Sequence, residues 1–306
     1  MGGARPLRED RSRRPVIRPP FFLARRFVAG ETLPEAIEVV RRLNDRGLSA
    51  SLDILGENVK DPAAVRAARD DYVGLLDEIA RTGVDSNISI KLTMLGLDVG
   101  EAFCEENLHV VLSAGRERRT FVRIDMEGSR YTQATLDLFH RVLPAYGSAS
   151  DGRGAGVGVV IQSYLYRSAA DVQRLNEARA RVRLVKGAYK EPPEVAFPAR
   201  DDVNRSYDEL MRELLAGGAY PAIATHDDER ITRTRTFAAE RGIPVSAYEF
   251  QMLYGIRRRL QETLAAQGHP VRVYVPYGRD WFPYFYRRLR ERKENVAFVA
   301  RNLFRE

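Results

Sequence analysis

Ionisable and hydrogen-bonding side chains recur at or near the carboxyl ends of short apolar runs: Lys91; Asp125 and Glu127; Gln162; Arg183, Lys186 and Tyr189; Thr225, His226 and Asp227; Glu249 and Gln251; and Tyr274. Burying a lysine, arginine or aspartate costs several kcal/mol unless it is paired. For any single member a salt bridge at the rim is the simpler reading. The set as a whole points to use, because so many charged groups gathered near one surface are worth their cost only in a functional site. A second group lies in DWFPYFYRRLRERKEN (280–295), where Tyr284, Arg288 and Glu291 share a helix face with Arg287 beside them. Two adjacent guanidinium groups next to a tyrosine suit a small carboxylate, bound bidentately and packed against a ring. The same pattern also reads as a solvated basic face with Arg–Glu pairs, and the helix alone leaves both readings open.

The elements that must position these residues follow a cadence. Eight apolar runs, SASLDIL (49–55), SNISIKLT (86–93), FVRIDME (121–127), GVGVVIQS (156–163), RVRLVKG (181–187), PAIATHD (221–227), VSAYEFQM (245–252) and VRVYVPYG (271–278), alternate with helix-like stretches. Those helices are expected near 61–82, 100–115, 131–144, 168–179, 200–217, 228–241, 255–266 and 281–303. Eight βα units predict a closed parallel barrel of α/β class, with the chemistry at the carboxyl ends of its strands. Before the first strand, one helix is expected near 21–29. Another is expected from 32 to about 47, opening at Thr32-Leu33-Pro34 and ending at Arg46-Gly47. The proline-rich loop KEPPEVAFPARDD (190–202) follows a strand end and is a candidate lid. The Gly/Ser-rich connection 144–158 belongs to the opposite, structural face.

The chain has 306 residues, 44% of them hydrophobic, which fits one catalytic barrel over 21–306 preceded by a flexible basic tail over 1–20. No stretch reaches the ~18 uninterrupted apolar residues of a membrane span. The single cysteine, Cys104, fits a reducing compartment and a structural thiol, so a cytoplasmic location is expected. The net charge is +7, with much of the excess at the two ends. The Arg-rich start lacks the apolar segment of a secretory signal and the serines of a transit peptide. No dinucleotide or P-loop fingerprint and no nucleophile elbow appears. Four histidines scattered at 109, 140, 226 and 269 make a metal site improbable.

The runs LDILGENV, SIKLTMLGL, IDMEGSRYT, VVIQSYLYRS, RLVKGAYKEP, ATHDDERI, YEFQMLYGI, RVYVPYG and YRRLRER resemble the flavin-dependent proline dehydrogenases, in order and over about 21 to 303. The likeness is to the monofunctional bacterial type. It implies a distorted (βα)8 barrel of TIM type, holding FAD noncovalently, with the eighth helix over the barrel mouth. It further implies that Arg287 and Arg288 bind the carboxylate of L-proline, and that Glu57 pairs with Arg287 as a gate. Tyr284, Leu253 and Tyr274 would pack around the ring, with Lys91 and Asp125 as a polar pair beside substrate and flavin. Gln162, Arg183, Lys186, Gly187, Ala188, Tyr189, Thr225, His226, Gln251 and Glu291 match positions that contact FAD. Hydride transfer to flavin N5 would yield Δ1-pyrroline-5-carboxylate, and electrons would pass to a quinone. The basic ends would give weak peripheral attraction to the inner face of an anionic membrane. Two other classes are weighed against this. A Schiff-base aldolase would use Lys91 or Lys186 as nucleophile, but both lysines sit among charges. A nucleic-acid binder would suit a pI near 9.6, but outside the last helix the charge is not organised as a basic, aromatic-interleaved face.

Overall fold

The structure, a computed structural model, describes residues 21–147 and 155–291, side chains included except at 289–291. The tail expected over 1–20 and the last helix beyond 291 lie outside the described residues. The elements run in the order α1 (Leu33–Asn44), β1 (Ser49–Ile54), α2 (Pro62–Thr82), β2 (Ser86–Ile90), α3 (Glu101–Glu117), β3 (Phe121–Ile124), α4 (Thr132–Tyr146), β4 (Gly156–Gln162) and α5 (Ser168–Glu177). They continue with β5 (Arg181–Val185), α6 (Arg200–Gly217), β6 (Ala222–Ala224), α7 (Asp228–Glu240), β7 (Glu249–Leu253), α8 (Arg258–Ala266), β8 (Val271–Tyr277) and α9 (Trp281–Glu291). All eight strands pair in parallel in sequence order, and β1 closes the barrel on β8 through the register Ser49↔Arg272 to Ile54↔Tyr277.

Local signals explain the helix starts. Pro62 occupies the first turn of α2, and the Asp61 carboxylate accepts from the Ala64 N–H at 2.8 Å. At α1 the Glu35 carboxylate reaches back to the Thr32 N–H at 3.0 Å and the Thr32 hydroxyl at 2.9 Å. Three expectations are corrected. The helix expected over 21–29 is only a 3₁₀ turn at Phe21–Leu23. The seventh strand begins at Glu249, because Val245–Ala247 after Pro244 forms a 3₁₀ turn. Four strands, β2, β3, β5 and β6, also end before the polar residues that follow them, β6 after three residues.

Strand side chains alternate between two environments. Leu52, Ile88, Ile90, Val122, Val159, Leu184, Phe250 and Val273 face outward and share one core with Val40, Leu75, Leu108, Phe139, Leu175 and Leu214 of the surrounding helices. Between them, Ser51, Ser89, Arg183, Gln251 and Glu249 face the barrel interior and are buried. Cys104 belongs to the apolar layer. Burial pushes its thiol up to about 12, as suits a structural role.

The segment before α1 forms a platform for α9. Leu23, Ala24, Phe27 and Val28 pack with Leu55, Ile256, Trp281, Tyr284 and Phe285 in a second apolar cluster. Trp281 Nε1 donates to Glu31 at 3.1 Å. The Ala29 N–H donates to the Pro276 carbonyl at 2.9 Å, and the Gly278 N–H to the Gly30 carbonyl at 3.0 Å, tying the platform to the end of β8. The candidate lid is a loop only over 190–199, since α6 begins at Arg200, and it is strapped down. Its Phe197 N–H donates to the Tyr164 carbonyl at 2.8 Å, and its Glu191 accepts from the Ser129 N–H at 2.7 Å. Among the described residues, no helix is long and apolar enough to cross a membrane.

Candidate active site

At the carboxyl ends of the strands lies a cavity of about 810 Å³, floored by the barrel interior and roofed by Tyr284, Arg287 and Arg288 of α9. The roof is α9, which follows β8 and is therefore the eighth helix of the βα series, α1 preceding the first strand. Each residue that the family resemblance assigns to the site lines this cavity, except Glu291, whose side chain lies outside the described ones; of the other strand-end residues, Glu249 does not line it. Glu127 does not line it, because its carboxylate turns to Thr93.

The floor is one connected polar network. Asp125, just past β3, accepts from Arg183 Nη1 at 2.8 Å and from the Tyr274 hydroxyl at 2.7 Å. Lys91 lies 3.8 Å from Asp125 and makes its closest contact with Asp53 of β1. Asp53 was not among the residues singled out from sequence. It sits in SASLDIL, an apolar-looking run, and the alternation of Ser51 and Asp53 with Leu52 and Ile54 was the available signal. Burial pulls the Lys91 amine down, but Asp53 and Asp125 together outweigh it and hold the amine above its ordinary range. The buried ion pair with Asp53 favours the protonated amine, which argues against Lys91 as a Schiff-base nucleophile. Arg183 reaches across the barrel. Its Nε donates to Gln251 Oε1 at 2.5 Å, its Nη2 to Ser89 at 3.1 Å, and its guanidinium lies 5.3 Å from the centre of the Tyr274 ring. It therefore stands inside the barrel and not at its rim.

One wall is built from the ends of β4, β5 and β6. Gln162 Nε2 donates to the carbonyls of Met126 at 2.8 Å and Glu127 at 3.0 Å, while its Oε1 is buried with no hydrogen-bond partner among the described residues. Lys186 Nζ donates to Asn204 at 2.6 Å and to Asp227 at 2.9 Å. Burial raises the Asp227 carboxyl, and Lys186 outweighs that and holds it low. The Leu253 N–H donates to His226 Nε2 at 2.8 Å, which fixes a neutral imidazole with its proton on Nδ1. Gly187 has φ +118°, and a Cβ there would fall 2.5 Å from the Tyr164 ring. The space that Gly187 leaves is thus taken by Tyr164.

In the roof, Arg287 Nη1 donates to Glu57 Oε1 at 2.9 Å. Arg288 is only 8% exposed, its guanidinium 5.2 Å from the Tyr284 ring centre. Leu253 and Tyr274 line the cavity below them. Adjacent guanidiniums, an aromatic and aliphatic wall, and a charged floor give a barrel-mouth site of enzyme type whose chemistry suits a small organic anion.

Comparison with known proteins narrows the class. The family model described as proline dehydrogenase matches residues 36–301. The chain belongs to the proline dehydrogenase family of oxidoreductases. It is 41% identical to the proline dehydrogenase of Deinococcus radiodurans over 286 residues, 92% of this chain and 90% of that protein. It is 40% identical to proline dehydrogenase 1 of Bacillus subtilis (strain 168) over 283 residues, 92% of this chain and 91% of that protein. The crystal structure of proline utilization A (PutA) from Bdellovibrio bacteriovorus, inactivated by N-propargylglycine, matches with a TM-score of 0.82 at 26% identity. That match covers 88% of this chain and 32% of PutA. The (βα)8 expectation, with α9 over the mouth, agrees with the observed topology.

Proposed function

We propose that this chain oxidises L-proline to Δ1-pyrroline-5-carboxylate with FAD held noncovalently in the barrel mouth, the electrons passing on to a quinone. The observation that carries the reading is the joining, in one cavity, of the α9 arginine pair to the polar strand ends. The proline carboxylate binds Arg287 and Arg288, and its ring packs against Tyr284, Leu253 and Tyr274. Glu57 closes on Arg287 over the bound substrate. Lys91, kept cationic, contributes a fixed positive field beside Asp125 and does not act as a base.

The donors and acceptors of the wall fit the cofactor. The unpartnered Gln162 Oε1 is an acceptor awaiting a ring N–H. Arg183 and Lys186 offer positive charge, and Thr225 and His226 offer polar groups beside them. With Gly187, Ala188, Tyr189, Gln251 and Glu291 they make up the residues assigned to holding FAD. Bound there, FAD supplies the hydride acceptor, while these residues orient it and keep its surroundings fixed.

The absorption spectrum of the purified protein, before and after anaerobic L-proline, tests both cofactor and substrate. Flavin bands that bleach with proline are the expected result. Bands that persist remove proline as the substrate, and absent bands after added FAD remove the cofactor. A weak contact with an anionic membrane surface is supported by the +7 net charge. At low salt, anionic vesicles should pull the protein into the pellet and neutral vesicles should not. Protein left wholly in the supernatant rejects the membrane contact.

A further inference from the structure

Glu57 sits between β1 and α2 in a loop without regular structure, yet its carboxylate must meet Arg287 reproducibly if it is to gate anything. The backbone N–H groups of the two residues after it both go to Thr93, while the Asn58 side chain also accepts from the Tyr131 hydroxyl at 3.1 Å. Asn58 adopts φ 59°, and its N–H donates to Thr93 Oγ1 at 3.0 Å. The Val59 N–H donates to the Thr93 carbonyl at 3.1 Å. Thr93 is fully buried at 0% exposure, and its hydroxyl donates onward to Glu127 Oε2 at 2.6 Å. The other Glu127 oxygen accepts from the Thr93 N–H at 3.1 Å, and Gln162 donates to the Glu127 carbonyl at 3.0 Å. Each group of Thr93 is thus committed. The hydroxyl has its proton drawn to Glu127, which leaves a lone pair aimed at Asn58. Neither Thr93 nor Glu127 lines the cavity.

We propose that Thr93 is the positioning residue of the gate: oriented by Glu127, its hydroxyl holds the Asn58 amide and so presents Glu57 to Arg287. This rests on reading Glu57 and Arg287 as a gate over bound proline. Thr93 acts only through Glu57, touching neither substrate nor cofactor. A residue that merely satisfied Glu127 inside the fold would change stability and leave the gate alone.

The test is a double-mutant cycle on the flavin-loaded enzyme, with KM for L-proline and kcat read separately. T93V keeps the side-chain volume and loses both hydrogen bonds. It should raise KM roughly 3- to 10-fold, the size of one neutral hydrogen bond, with kcat changed less than about 2-fold. T93S, which keeps the hydroxyl, should restore the wild-type KM. In an E57Q background the T93V effect on KM should vanish, because the group being positioned is already disabled. Equal T93V effects in both backgrounds, or a lowered melting temperature with KM unmoved, overturn the proposal while leaving the gate intact. An unchanged KM in E57Q alone removes the gate itself. Should T93V fail to fold, T93A removes the same two hydrogen bonds with fewer atoms to accommodate and carries the same comparison.

Discussion

Arg288 weighs the substrate reading most directly, because it is buried beside Tyr284 with its neighbour Arg287 already engaged by Glu57. Arg288→Met keeps much of the side chain's reach and removes the charge. Losing one charge-assisted contact costs ~1.5–3 kcal/mol, so the KM for L-proline should rise roughly 10- to 150-fold. The flavin bands should survive, since Arg288 belongs to the roof and not to the wall assigned to FAD. A steady-state titration beside an absorption spectrum decides it, and an unchanged KM takes Arg288 out of the carboxylate site. At this scale the sequence was legible wherever a residue type violated its local pattern. A tyrosine and two arginines on what should be an apolar outer helix point to α9, and Lys91 after strand two with Arg183 inside strand five points to the floor. Asp53 is hard to read because a lone carboxylate in a short apolar-looking run blends into it, although Ser51 and Asp53 alternate with Leu52 and Ile54. Only the fold brings Lys91 across to it.

Among the elements, the platform before α1 matters most, because it decides where the arginines of α9 stand. It meets the turn after β7 at Gly255, where φ is +78° and a Cβ would fall 1.6 Å from the Arg26 carbonyl oxygen. Gly255→Ala must therefore push residues 24–28 away from the turn, and with them the cluster of Phe27, Trp281 and Phe285 that seats α9. The left-handed backbone alone costs about 1–2 kcal/mol for a residue with a Cβ. The expected outcome is a lower melting temperature together with a raised KM for proline. Wild-type KM in a folded G255A variant would show that α9 is seated without the platform. The platform was hard to read from sequence, since a 3₁₀ turn and irregular backbone give no periodicity, and a helix was the expectation over 21–29. The βα cadence was far easier, because each strand is apolar on its outer face and each helix carries a periodic stripe. Strand seven slipped for the same reason. Val245–Ala247 reads as a continuation of an apolar run, and nothing in its residue types announces the 3₁₀ turn that shifts the strand's start to Glu249.

That shift changes the meaning of Glu249 for the molecule as a whole. Read as the end of a strand, it belonged at the mouth; as the first residue of β7 it lies deep in the barrel, facing Arg272 of β8 at 3.1 and 3.2 Å. The barrel is closed by charge as well as by its ladder. Arg272 meets Glu249, Glu249 accepts from Gln251, Gln251 accepts from Arg183, and Arg183 reaches Asp125 at the floor of the site. Burial raises the Glu249 carboxyl, and Arg272 with the Gln251 amide outweighs it, leaving it below the ordinary glutamate range. A carboxyl lowered in the folded state contributes stability that is full above its unfolded value, about 4.3, and is lost as pH falls through the folded value. Glu249→Gln leaves the half-buried Arg272 with only the exposed Asp85, 3.8 Å away, as countercharge, so the loss should approach the about 3–5 kcal/mol of broken buried pairs. In urea unfolding the variant should fall well short of wild type at pH 7. The gap should hold down to about pH 4.3 and narrow below it, as the wild-type carboxylate takes up its proton. A gap of equal size at every pH would mean that shape, and not the charge of Glu249, is what the barrel interior requires.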